Sequence, residues 1–131
     1  MSALPKPTES ELEILQILWE HGASPVRLVF DQLNSRRKVN DREEVGYTTA
    51  LKLMQIMAEK GLLTRNTDMR THVYEAAAPE EDTQQQLLRK FVDSTFRGSA
   101  MKLVMQALGN HDASAEELDE IKALIEKIER K

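Results

Sequence analysis

Hydrophobic residues in the first third of the chain recur at helical spacing. Leu12, Leu15, Leu18 and Trp19, widened by Ile14 and Ile17, form one stripe. It opens after Thr8-Glu9-Ser10-Glu11, a capping-box pattern in which a hydroxyl and a Glu three residues on satisfy orphan amides. It stops at Gly22, where a left-handed C-cap residue is expected. These signals predict a first helix over about 9–21. Ser24-Pro25 is a second start signal, a serine N-cap followed by proline at the first helical position. Val26, Val29, Phe30 and Leu33 then share a face, predicting a second helix over about 25–36. The link between the two helices is so short that they must cross steeply, as in a helix-turn-helix unit.

Residues 36–46 are polar, charged and aperiodic, which predicts a loop with a short strand near Glu44 to Gly46. A third helix starts at Thr48 or Thr49, with Leu51, Met54 and Met57 inward and Leu53 beside them, and ends at Gly61. The period then changes from helical to alternating. Leu62 to Arg65 fits a strand, Asn66 to Arg70 a turn, and Thr71 to Ala76 a returning strand. Three helices followed by a hairpin is the winged-helix order, and few other compact packings suit it. Pro79 breaks the chain, and three more amphipathic helices follow at about 80–96, 99–108 and 115–130. The last opens with a further capping box at Ser114 to Glu117. The expected architecture is mainly α: a winged helix-turn-helix domain over 1–78, then a small three-helix dimerisation domain over 79–131.

Composition narrows the chemistry. With no cysteine, thiolate metal sites, disulfides and cysteine nucleophiles are excluded. No apolar run is long enough to span a bilayer, and Met1 to Pro7 lacks a signal-peptide core, so a cytoplasmic location without membrane insertion is expected. His21, His72 and His111 stand apart from one another and from carboxylates at ligand spacing. The acidic pairs lie at helix starts or in a loop, where they complement helix dipoles or face solvent. No phosphate-binding glycine loop or nucleophile elbow is present. Neither an enzyme nor a metal or cofactor site is expected.

Net charge is −4, but it is unevenly spread. Residues 36–70 hold eight basic and five acidic side chains, whereas 79–131 hold eight basic and eleven acidic. A locally basic patch on an acidic body suits a DNA-binding protein, and equally suits an ordinary solvated surface. In a helix-turn-helix unit the start of the third helix enters the major groove. Here it offers Tyr47, Thr48, Thr49 and Lys52, with a small Ala50 expected to let the backbone approach the duplex. The alternative is that Thr48 and Thr49 cap the helix while Tyr47 packs on the core. In the hairpin, Arg65 and Arg70 are candidate phosphate or minor-groove contacts, or plain solvated charges.

The C-terminal helices carry Leu88, Phe91, Val92, Phe96, Leu103, Val104, Leu108, Leu118, Ile121, Leu124 and Ile125. That is more apolar surface than so short a segment buries in itself. Packing against a second copy removes it from water at roughly 25 cal/mol per Å²; folding back on the winged helix is the alternative. Two linked modules also read two half-sites and gain through effective concentration.

Gly46 to Met54 followed by Glu59 to Arg65, the opening Pro7 to Leu15 with Trp19, and Phe91 to Ser99 together resemble the penicillinase-repressor family of winged-helix transcriptional regulators. The resemblance covers nearly the whole chain. It implies a homodimer that represses from a palindromic double-stranded DNA operator. In the antibiotic-sensing branch it further implies a membrane sensor metalloprotease that triggers cleavage within the dimerisation domain. Two features depart from the pattern. The paired cysteines of the copper-responsive branch are missing, and the Asn-Phe cleavage junction falls by position on Gln106-Ala107. The 36–46 loop is longer than the family's, which gives Arg36, Arg37, Lys38 and Arg42 as further candidate phosphate contacts. The competing expectation is a winged-helix adaptor that binds protein alone, favoured by the acidic Glu43-Glu44 beside the third helix.

Overall fold

A computed structural model describes residues 5–68, 70, 72–110 and 112–130. The expectations at Met69, Thr71 and His111 fall outside the described residues. The elements run α1 (Glu9–His21), β1 (Ser24–Pro25), α2 (Val26–Val39), α3 (Tyr47–Lys60), β2 (Leu63–Asn66), β3 (Val73–Ala76), α4 (Glu80–Thr95), α5 (Ala100–Asn110) and α6 (Ala115–Glu129). The chain divides into two compact units, Met1–Leu88 and Arg89–Lys131, with the division falling within α4.

In the first unit, α1, α2 and α3 pack on one another, and a small antiparallel sheet of order β1-β3-β2 closes the side. The core unites Ile14, Leu15, Ile17 and Leu18 of α1 with Val26, Val29 and Leu33 of α2. Met54 and Met57 of α3, followed by Leu62, Leu63 and Tyr74, complete it. Three helices with a hairpin against them form a winged helix-turn-helix. The register Arg65↔Tyr74↔Ser24 sets Tyr74 in the middle of the sheet with its side chain buried.

Two expectations about local structure are corrected. Ser24 does not cap α2: its hydroxyl donates to the Gly22 carbonyl at 2.9 Å, and its backbone pairs with β3. Pro25 takes the N-cap position instead. The strand expected near Glu44 to Gly46 is absent, and the third strand is this Ser24–Pro25 segment. Helix α2 also continues to Val39, so residues 36–39 belong to it rather than to the loop. Asp41 ends it in the left-handed region at φ 54, while the Arg42 amide donates back to the Arg37 carbonyl at 2.7 Å. Asp is one of the few residues that tolerates this conformation without glycine.

The α1 and α3 helices are tied by one buried acid. Glu11 accepts from the Thr8 amide at 2.9 Å while its own amide donates to Thr8 Oγ1, closing the capping box. The Lys60 ammonium, in the last turn of α3, donates to both Glu11 oxygens at 2.8 and 2.9 Å. Burial pushes the Glu11 carboxyl up, but Lys60 and the Thr8 amide outweigh it and hold the group below the usual glutamate range. A depressed carboxylate stabilises the fold above its unfolded-state value, and that contribution is lost as pH falls through the folded-state value. Glu11→Ala is therefore expected to cost about 2 kcal/mol at neutral pH through the lost cap and charged hydrogen bonds. Urea unfolding of both proteins should show the difference shrinking at pH below about 4; a constant difference would remove Glu11 from this role.

Candidate nucleic-acid interface

Helix α3 divides its faces by the 3.6-residue period. Ala50, Met54 and Met57 are buried on one side, while Thr48, Thr49, Lys52 and Gln55 are exposed on the other. Ala50 is fully buried, which corrects its expected place against the duplex: it shares the inward stripe with Met54, four residues on. The N-cap is Gly46 with no side-chain cap bond, so neither threonine hydroxyl is spent on capping. Tyr47 opens the helix, 42% exposed, with its ring edge-on to Phe30 of α2 at 5.4 Å. It braces the surface rather than filling the core.

The hairpin β2–β3 brings Arg65 and Arg70 alongside. Gly61, left-handed at φ 88, turns the chain sharply out of α3, and Leu62 and Leu63 anchor the start of β2 in the core. Arg65 then stands exposed in mid-strand. With Arg27, Tyr47, Gln55, Arg70 and His72 it lines a cleft of about 310 Å³ between the helices and the wing. Arg27 and His72 were not among the expected contacts. A signal for Arg27 exists in the sequence, because a cation in the first turn of a helix opposes the dipole.

Helix starts sort by charge in the same sense. Helices α1, α4 and α6 carry carboxylates in their first turns, whereas α2, α3 and α5 carry none. The first turns of α2 and α3 thus carry no carboxylate of their own to offset the helix dipole. The Arg-rich end of α2 behaves otherwise. Arg37 donates to Glu13 at 2.9 Å, Arg42 reaches the same carboxylate at 2.9 Å, and Arg36 pairs with Glu20. These three arginines, candidate phosphate contacts in the sequence, are engaged by α1 carboxylates, and Arg37 also donates to the Glu43 carbonyl. Lys38 stays exposed.

The segment leading into α3 is fixed by one side chain. Asn34 donates to the Val45 carbonyl and accepts from the Val45 amide, both at 2.8 Å, imitating a strand partner.

In the second unit the picture reverses. Val92 is buried, and Phe96, Leu103 and Ile121 are half-buried. Phe91, Val104, Leu108, Leu118, Leu124 and Ile125 are exposed, as are Met101 at 70% and Ile128 at 61%. Leu88, at the end of the first unit, is also exposed. Gln106 and Ala107 sit exposed inside α5. Among the described residues, no helix is long and apolar enough to cross a membrane.

A sequence model of the penicillinase repressor family matches residues 7–127. The chain belongs to the penicillinase repressor family. Members of that family are transcriptional regulators, not enzymes. The chain is 22% identical over 126 residues to the penicillinase repressor of Bacillus licheniformis, covering 96% of this chain and 94% of that one. It is 19% identical over 120 residues to the methicillin resistance regulatory protein MecI of Mammaliicoccus sciuri, covering 92% and 93%. Among solved structures, the DNA-binding domain of the repressor BlaI superposes with a TM-score of 0.50 at 22% identity, over 63% of this chain and 93% of that one. That likeness concerns the fold, a winged helix.

If Asn34 holds this family member's α3 entry as described, Asn34→Ala should cost about 2 kcal/mol by leaving the Val45 polar groups unpaired. Hydrogen exchange at the Val45 amide should accelerate by more than global destabilisation alone gives. Unchanged exchange there would mean that the segment is held by something else.

Proposed function

We propose that this chain is a dimeric repressor that sets the first turns of two α3 helices into successive major-groove half-sites of a palindromic operator. The observation that carries this reading is the first turn of α3. Thr48, Thr49 and Lys52 are exposed without structural duty, while the opposite face of the same helix is locked in the core. Hydroxyls and an ammonium so placed are suited to base edges and phosphates, with Tyr47 setting the approach. Arg65 and Arg70 supply positive charge from the wing.

Dimerisation is assigned to residues 79–131, and the winged helix to 1–78. Among the described residues α5 and α6 touch each other little, and their apolar stripes face outward. Each large apolar side chain buried against a partner copy contributes about 1.5–3 kcal/mol, which a stripe of this length turns into a stable pair. Release by a membrane sensor metalloprotease completes the reading, with Gln106-Ala107 as the junction. Both residues lie within α5, so cleavage requires that turn to unwind first. A repressor of this kind works in the cytoplasm, where the duplex is. The exposed Glu43 and Glu44 beside α3 favour a second reading, an adaptor that binds protein alone.

An electrophoretic shift assay on the DNA upstream of the chain's own coding sequence separates the two, since an adaptor leaves that fragment unretarded. Lys52→Ala and Arg65→Ala should each weaken binding and flatten the dependence of log K on log salt by about one unit per subunit. Unchanged affinity in both variants would remove these residues from the interface. Sedimentation equilibrium at micromolar concentration should give twice the 15.0 kDa chain mass, and Leu124→Glu should return a single subunit; a stable lone subunit in the parent protein would refute the pairing.

A further inference from the structure

Arg27 occupies a place that helix electrostatics disfavours. It is the second residue of α2, beside the positive end of the dipole, where carboxylates rather than cations are stabilising. Among the described residues its one ion pair, with Asp31 one turn on, is long at 3.5 Å and solvent-exposed, so it contributes little. The guanidinium is nevertheless held. It lies over the Phe30 ring at 5.5 Å, and Phe30 is braced edge-on by Tyr47, the first residue of α3. A cation–π contact orients the planar fork without consuming its donors.

Arg65 and Arg70 line the same cleft, and none of the described residues that line it is a carboxylate. Three arginines therefore border about 310 Å³ of space, and among the described residues the one carboxylate paired with any of them is the exposed Asp31 on Arg27. Like charges held this way repel one another, and a tetrahedral phosphate oxyanion relieves the repulsion while accepting forked hydrogen bonds. Tyr47 both lines the cleft and begins α3, so an occupant sits within one helical turn of Thr48 and Thr49.

We propose that Arg27 is a phosphate-gripping residue, aimed by the Phe30–Tyr47 pair, and that the DNA backbone passes through the cleft between α2 and the wing. This rests on the DNA-binding reading above. The same oxyanion chemistry belongs to free phosphate, and the experiment distinguishes the two sources.

The test uses the full chain with two duplexes, its own upstream DNA and a scrambled sequence of equal length. Arg27→Ala should weaken both by about tenfold, because a phosphate contact carries no sequence information. It should also flatten the salt dependence by about one unit per subunit. Arg27→Lys should keep most of the salt dependence, and the thermal midpoint should stay put in both variants, since the side chain is 72% exposed. Unchanged affinity and salt dependence in Arg27→Ala, while Lys52→Ala still weakens binding, would overturn this inference and leave the DNA reading standing. Saturation of the cleft by millimolar inorganic phosphate, followed through the Tyr47 resonances, with duplex affinity indifferent to Arg27→Ala, would also overturn it in favour of a free-anion site. Failure of the parent protein to bind either duplex would overturn both readings together.

Discussion

The inward stripe of α3 is the constraint on which the rest depends. Ala50, Met54 and Met57 are spaced so that their burial fixes the rotation of the helix about its own axis. That rotation leaves Thr48, Thr49 and Lys52 outside, and the turn at Gly61 then delivers Arg65 to the cleft lined by Tyr47, Leu51 and Gln55 of the same helix. Packing and exposure are one decision here. A helix rotated by one residue would bury a threonine hydroxyl and expose methionine, at a cost in both unpaired polar groups and lost apolar burial. The Glu11–Lys60 contact supports the same geometry from the far end of the helix.

Charge is sorted by tertiary pairing rather than by sequence segment. The run Arg36-Arg37-Lys38 has the look of a phosphate-binding patch, yet α1 supplies Glu13 and Glu20 to engage Arg36, Arg37 and Arg42. Those ion pairs serve the fold by pinning the end of α2 and the following loop to α1. The positive charge that remains near α3 comes from Lys52, Arg65 and Arg70, which lie within the basic 36–70 stretch, and from Arg27, which lies outside it. A net charge of −4 is compatible with such a face because most of the acidic side chains lie elsewhere or are paired.

Much of this was legible in the chain because it rests on local rules. Capping boxes at Thr8 and Ser114, the glycine at position 61 and the switch from helical to alternating period each mark an element that the structure contains. What escaped depends on contacts between distant residues. Ser24 looks like an N-cap until β3 claims its backbone. The end of α2 was hidden because Asp41, not glycine, takes the left-handed position. Ala50 looks like a concession to a close-approaching duplex, whereas the helix needs a small residue where it packs inward. Arg27 is missed by a local reading because the arginines that share its cleft, Arg65 and Arg70, come from the hairpin, while its own contacts, Phe30 and Asp31, lie within α2.

The two compact units have opposite surfaces. The first buries a full apolar core and displays polar groups; the second displays Met101, Leu124 and Ile128 and buries little beyond Val92. A polar first unit joined to an apolar-surfaced second unit suits the paired repressor proposed above. The most direct test of the central claim is a titration of the isotope-labelled full chain with its own upstream duplex, followed by amide chemical-shift changes. The account predicts the largest changes at Tyr47 to Lys52 and at Arg65, with α6 nearly silent. Changes centred on Glu43, Glu44 and the α6 face, with the first turn of α3 unmoved, would contradict it.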